Sequence, residues 1–141
     1  MPITEHPPIG TLLACNFDAG FKEPEMIGRR LVIVVTPKIS MRKGLCTVIP
    51  LSETAPHVVM PYHHQIIFDP PLPDSWGNHP RWLKGDMIVS VGFHRLDFIR
   101  EGKDRGGKRQ YRYTPIPDDL LRQVRKCMLS SLGLGILTKH L

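Results

Sequence analysis

The chain has 141 residues, 41% hydrophobic and 23% charged, which suits one domain with a single sizeable core and excludes a disordered polar chain. Lys and Arg number 19 against 13 Asp and Glu, giving +6 and a pI near 9.5, a surplus that favours an anionic partner such as nucleic acid or an acidic protein. No run approaches about 18 uninterrupted apolar residues, so no membrane span is expected, and MPITEHPPIG lacks the basic start and apolar core of a secretory signal. Cys15, Cys46 and Cys127 lie far apart in apolar stretches with no CxxC pair, which predicts buried reduced thiols in a cytoplasmic protein.

Residues 1–9 form a Pro-rich lead-in to a single domain spanning 1–141. TLLACNF (11–17) reads as a first strand, followed by a loop, 18–28, that Gly20 and Pro24 keep from becoming a helix. RLVIVVT (30–36) is β-branched and too short for a helix, so it reads as a buried strand. The basic turn PKISMRKG (37–44) leads to a third strand, LCTVIPLS (45–52). YHHQIIF (62–68) reads as a fourth strand inside an extended Pro-rich connection, 54–84, whose section DPPLPDSWGNHP (69–80) is a loop. GDMIVSVG (85–92) is a fifth strand, HRLDFIR (94–100) continues or follows it, and YRYTPI returns after a hairpin tip where Gly106-Gly107 supply positive φ.

The chain ends differently. PDDLLRQVRKCMLSSLG (117–133) puts Leu120, Leu121, Val124, Cys127, Met128 and Leu132 on one helical stripe, with Asp118 and Asp119 at its positive end and Gly133 at its stop. About six short strands and one terminal amphipathic helix predict a mainly β fold, a small barrel partly covered by that helix.

The run LVIVV opens with two arginines, five residues after Glu25. If strands 30–36 and 45–52 form an antiparallel hairpin, Arg30 comes beside Ser52, with the Glu25 loop above them. A carboxylate, a guanidinium and a hydroxyl suit phosphodiester chemistry: the first takes a proton from an attacking hydroxyl, the second holds phosphate oxygens, and the third donates a hydrogen bond. RNA carries its own nucleophile in the 2′-OH, so such a site needs no metal. On spacing alone, a surface salt bridge with a structural serine explains the same residues.

In order and spacing, these pieces resemble the PemK/MazF family of toxin ribonucleases. The matching pieces are GTLLACNFD, Glu25, Arg30 leading into LVIVV, Pro50-Leu51-Ser52, WLKGDMIVSVGFHRLD (82–97) and the terminal helix ending in LGL, together covering about residues 9 to 134. The resemblance implies an SH3-like β-barrel with a terminal helix. It also implies that Glu25 is the acid–base carboxylate, Arg30 the transition-state arginine and Ser52 the phosphate contact. Its further implications are an endoribonuclease acting on single-stranded RNA without a cofactor, a homodimer, and an antitoxin that holds it in check. Leu31 stands where the family usually has Pro, Ser52 where it has Thr, and the 54–84 connection is longer than usual. A non-catalytic RNA- or protein-binding module on the same barrel is the alternative.

The histidines His57, His63, His64, His79 and His94 lack metal-ligand spacing, and adjacent His63 and His64 must point to opposite faces of a strand, so no metal is expected. RNA contacts are expected from Arg29, from the basic turn through Lys38, Arg42 and Lys43, from His64, and from the basic hairpin through Arg109 and Tyr111. Trp76 and Trp82, which flank the Pro-rich loop, are expected to pin it to the barrel.

Overall fold

A computed structural model describes residues 2–141. Eight strands and one α-helix follow in chain order: β1 (Leu12–Asn16), β2 (Arg29–Val34), β3 (Leu45–Ser52), β4 (His63–Ile66), β5 (Arg81–Lys84), β6 (Val89–Gly92), β7 (Leu96–Lys103), β8 (Arg109–Arg112) and α1 (Asp118–Ser131). Short 3-10 turns lie at Asp74–Trp76, Phe93–Arg95 and Gly135–His140. The mainly β architecture with a C-terminal helix is as expected, but the expected six strands are eight. The 54–84 connection holds β4 and β5, so it extends the sheet instead of merely bridging it.

All strand pairs are antiparallel, in the order β4-β5-β3-β2-β1-β7-β8. One edge of β3 serves two partners: Leu45 to Val48 pair with β6, and Leu51 and Ser52 pair with β5. Pro50 falls where the edge passes from one partner to the next, a place that tolerates a residue without an N–H. The two ends of the sheet curl toward each other. Arg112 of β8 donates to the carbonyls of Pro70 and Pro71, 3.2 and 2.6 Å away, on the loop that follows β4.

Alternation along the strands divides the core in two. Leu12, Ala14, Leu31, Ile33, Ile49, Leu51 and Leu83 join a cluster that α1 covers with Val124 and Cys127. Their neighbours Leu13, Cys15, Val32, Val34, Cys46 and Val48 point the other way, into a cluster closed by Ile3 and Phe17 and flanked by Phe21 and Met26. The strands are apolar on both faces because both faces are buried.

Helix α1 begins with Asp118 and Asp119 in its first turn and is stopped, two residues past Ser131, by Gly133, whose φ is +75°. Gly133 N–H donates to Ser130 O at 3.2 Å and Leu134 N–H to Leu129 O at 2.8 Å, the paired bonds of a glycine-stopped helix. Leu132, expected on the buried stripe, is 60% exposed and caps the helix just past its last residue, Ser131. At the β7–β8 tip it is Gly107 and not Gly106 that takes positive φ, while Asp104 Oδ1 accepts from the N–H groups of Gly106 and Lys108.

Close approach fixes the helix against the sheet at Gly85. A Cβ there would lie 2.6 Å from Tyr62 O and 2.8 Å from Cys127 Cβ. Gly85→Ala is therefore expected to destabilise the fold by roughly 1–3 kcal/mol through overpacking, read as a lower urea midpoint.

All three cysteines are buried and free. Burial pushes the Cys15 thiol up to about 12 and the Cys46 and Cys127 thiols up to about 11, from 9.0. Above pH 9 the unfolded chain releases protons that the folded chain keeps, so stability is expected to fall as pH rises from 9 toward 11 to 12. Urea midpoints across that window check this, and Cys15→Ala should flatten the decline.

Candidate active site

The start of β2 and the end of β3 lie together at one end of the sheet. The last pair toward that end is Val32↔Pro50, and continuing the same register by two steps would set Arg30 across from Ser52. Leu31 and Leu51 point into the cluster under α1, so Arg30 and Ser52, one residue on in each strand, share the opposite face. The expected antiparallel hairpin of these two strands is present, and its register leads toward Arg30 and Ser52.

The 17–28 loop folds onto that same face. Phe21 and Met26 pack against its cluster, and Phe17 N–H closes the loop by donating to Gly28 O at 2.8 Å. Arg30 Nε–H donates to Ile27 O at 2.9 Å, tying the guanidinium to the loop while both Nη groups have no partner among the described residues. Glu25 sits in this loop, exposed, with its carboxylate unpaired among the described residues. Ser52 Oγ accepts from Thr54 N–H at 3.1 Å, which leaves its hydroxyl hydrogen free to donate. The edge thus offers the two Nη amino groups of one guanidinium and one hydroxyl to an anion, with a carboxylate on the loop above.

The rear face of the same strand ends is built differently. Arg29 extends over the Trp76 ring, 4.6 Å from its centroid, and Trp76 packs against the α1-side cluster. Arg29, expected to contact RNA, is engaged with Trp76 behind the sheet. Arg81, only 2% exposed, donates to the carbonyls of His79 (2.6 Å) and Trp76. Its Nη2 also lies 3.4 Å from Glu53 Oε1, which His79 Nε2 approaches at 3.2 Å. The Pro-rich loop is therefore clamped behind Arg30 and Ser52 through their sequence neighbours Arg29 and Glu53. Trp76 pins that loop as expected, but Trp82 belongs to neither core cluster.

The other expected contacts fall in separate places. Lys38, Arg42 and Lys43 lie in the turn at the far end of the β2–β3 hairpin, roughly 20 Å along the strand from Arg30. There they line a cavity of about 440 Å³ with Glu5, His6 and Phe93. His64 and Tyr111 meet across a larger cleft of about 650 Å³ between β4, β8 and the start of α1. His64 alternates with His63, so it faces away from the Arg30–Ser52 side. Arg109 is exposed on the β7–β8 hairpin. Among the described residues no group of three His, Cys, Asp or Glu side chains is placed to hold a metal ion, and no helix is long and apolar enough to cross a membrane.

Residues 9–132 match the family model described as PemK-like, MazF-like toxin of type II toxin-antitoxin system. The chain belongs to this family. Among curated proteins it is 29% identical over 146 residues to an uncharacterized protein of Haemophilus influenzae, covering 94% of this chain and 95% of that one. It is 27% identical over 151 residues to YifN of Escherichia coli, covering 94% and 96%. Among solved structures, MazF from Deinococcus radiodurans aligns with a TM-score of 0.57 at 23% identity, over 92% of this chain and 98% of that one. A mycobacterial endoribonuclease aligns with a TM-score of 0.53 at 12% identity, over 93% and 95%. These likenesses establish the MazF-like fold.

The rear clamp was hidden from sequence reading, because Arg81 and Glu53 are 28 positions apart and RWLK does not alternate like a strand. Two carbonyls stripped of their donor cost about 1–3 kcal/mol each. Arg81→Ala is accordingly expected to lower stability by at least ~2 kcal/mol and to shift Trp76 emission to the red. Glu53→Gln, at a half-exposed carboxylate, should cost under about 1 kcal/mol. Urea unfolding followed by tryptophan fluorescence measures both.

Proposed function

We propose that this protein is the toxin of a toxin–antitoxin pair, a cytoplasmic, metal-independent, sequence-selective endoribonuclease that cleaves single-stranded RNA. The observation that carries the reading is the Arg30–Ser52 pair, whose free donors face the side covered by the Glu25 loop, in a chain of the PemK/MazF family. Glu25 takes the proton from a 2′-OH as O2′ attacks phosphorus. Arg30 stabilises the charge that grows on the phosphoryl oxygens, and Ser52 donates a hydrogen bond to one of them. The P–O5′ bond breaks, a cyclic phosphate forms, and O5′ leaves with a proton supplied by Arg30 or by protonated Glu25.

A solved MazE-MazF complex from Deinococcus radiodurans, aligning with a TM-score of 0.53 at 23% identity over 92% of this chain, supports an antitoxin partner. We further propose a homodimer. Cleavage of a long RNA by purified protein in EDTA tests the reading. Wild type is expected to cut at a short recurrent sequence, and Arg30→Ala and Glu25→Ala, still folded by circular dichroism, should each lose at least ~100-fold in rate. RNA binding without cutting would support a non-catalytic binding module instead. Cutting that survives both substitutions would remove these residues from the mechanism.

A further inference from the structure

The row of residues that contains Arg30 and Ser52 does not stop at β3. Ser52 pairs with Trp82 of β5, and Trp82 pairs with Gln65 of β4. Trp82 and Lys84 flank Leu83, which points into the α1-side cluster with Leu31 and Leu51. Alternation therefore sends Trp82 and Lys84 to the face that carries Arg30 and Ser52. On β4 the partners of Trp82 and Lys84 are Gln65 and His63, which share that face, while Ile66 points into the cluster behind. With strands about 4.8 Å apart, Gln65, Trp82, Ser52 and Arg30 form a line roughly 14 Å long across four strands.

Along this face several groups keep free donors, although the His63 ring also packs edge-on against Tyr62, 4.6 Å between centroids. Trp82 is half-buried, lies in neither core cluster and, among the described residues, meets no other ring or cation, in contrast to Trp76. Lys84 has no ion-pair partner among the described residues. His63 Nδ1 accepts from Met60 N–H at 3.0 Å, so the ring's proton sits on Nε2. An indole face next to free cationic and amide donors, continuous with a phosphate-binding edge, matches a single nucleic-acid strand: bases stack on the aromatic ring while the cation holds the backbone.

We propose that the β4–β5 face is a binding subsite for single-stranded RNA, in which a nucleotide flanking the scissile phosphate stacks on Trp82. Lys84 contacts its phosphate, and the Gln65 amide and His63 Nε2–H lie at the base edge. This rests on the ribonuclease reading, and it makes the lengthened 54–84 segment part of the RNA surface and not a lid.

The probe is a fluorescein-labelled 20-nucleotide single-stranded RNA of mixed sequence, with cleavage of a long RNA measured in parallel in EDTA. Trp82→Ala is expected to weaken RNA binding and raise KM by roughly 5- to 150-fold, with kcat nearly unchanged and most affinity restored in Trp82→Phe. Lys84→Ala should reduce the slope of log affinity against log salt by about 0.7. In Trp76→Phe, where Trp82 is the sole indole, saturating RNA should quench the emission. A wild type that cuts RNA while Trp82→Ala binds and cuts equally well overturns the subsite alone. A wild type that neither binds nor cuts overturns the ribonuclease reading and the subsite with it. Loss of self-association in Trp82→Ala with unchanged RNA affinity would assign this face to a second copy of the chain and overturn the proposal.

Discussion

The pairing of β2 with β3 is the constraint on which the site depends. Val32 lies across from Pro50, and every other relation at the Arg30–Ser52 edge is counted from that register. Both strands are apolar on both faces, so hydrophobic alternation cannot set the register as it does in a half-solvated sheet. The polar ends do so instead. A slip of one residue would bring Arg29 or Leu31 opposite Ser52 and pull a charged side chain toward a buried cluster, at a desolvation cost of several kcal/mol. The partners of β3 add their own constraint, since β6 holds its first half and β5 its last two residues.

Strand alternation then lets two adjacent residues do unrelated jobs. Arg30 and Ser52 face one side with their donors free, whereas Arg29 and Glu53 face the other and are engaged by Trp76, His79 and Arg81. Anchoring is concentrated where water is excluded: Arg81 is almost wholly buried and its charge is met by two carbonyls and a carboxylate. Placing the clamp behind the strand ends holds their backbone still without consuming the groups that face an anion. The same logic applies to the 17–28 loop, which is fastened by Phe21, Met26 and the Arg30–Ile27 bond while Glu25 remains unpaired among the described residues.

The positive charge is dispersed. Lys38, Arg42 and Lys43 sit at the far end of a hairpin from Arg30, and Arg109 lies on another hairpin. Such spread charge raises the potential over much of the surface and draws a polyanion in from solution, but it does not hold a particular phosphate in place. Local positioning falls to the few donors fixed by strand register.

Much was legible in the sequence where physics is local. The β3 boundaries 45–52, the helix with its acidic start and glycine stop, and the antiparallel pairing of the strands that carry Arg30 and Ser52 follow from β-branched runs, capping chemistry and the hairpin. The order and spacing of those pieces also pointed to the PemK/MazF family. What the chain alone could not display is whatever depends on residues distant in sequence. RWLK becomes β5 only because β3 and β4 lie on either side to complete its hydrogen bonds. Arg81 becomes buried only because a loop closes over it. His63 rather than His64 reaches the Arg30 face because β4 pairs with β5 in one register and not the next. Composition and periodicity determined the helix and the strongly apolar strands, since the apolar spacing of each such segment is its own. The tertiary structure decided which side chains share a face, since a strand's two faces are equivalent until its neighbours fill one of them.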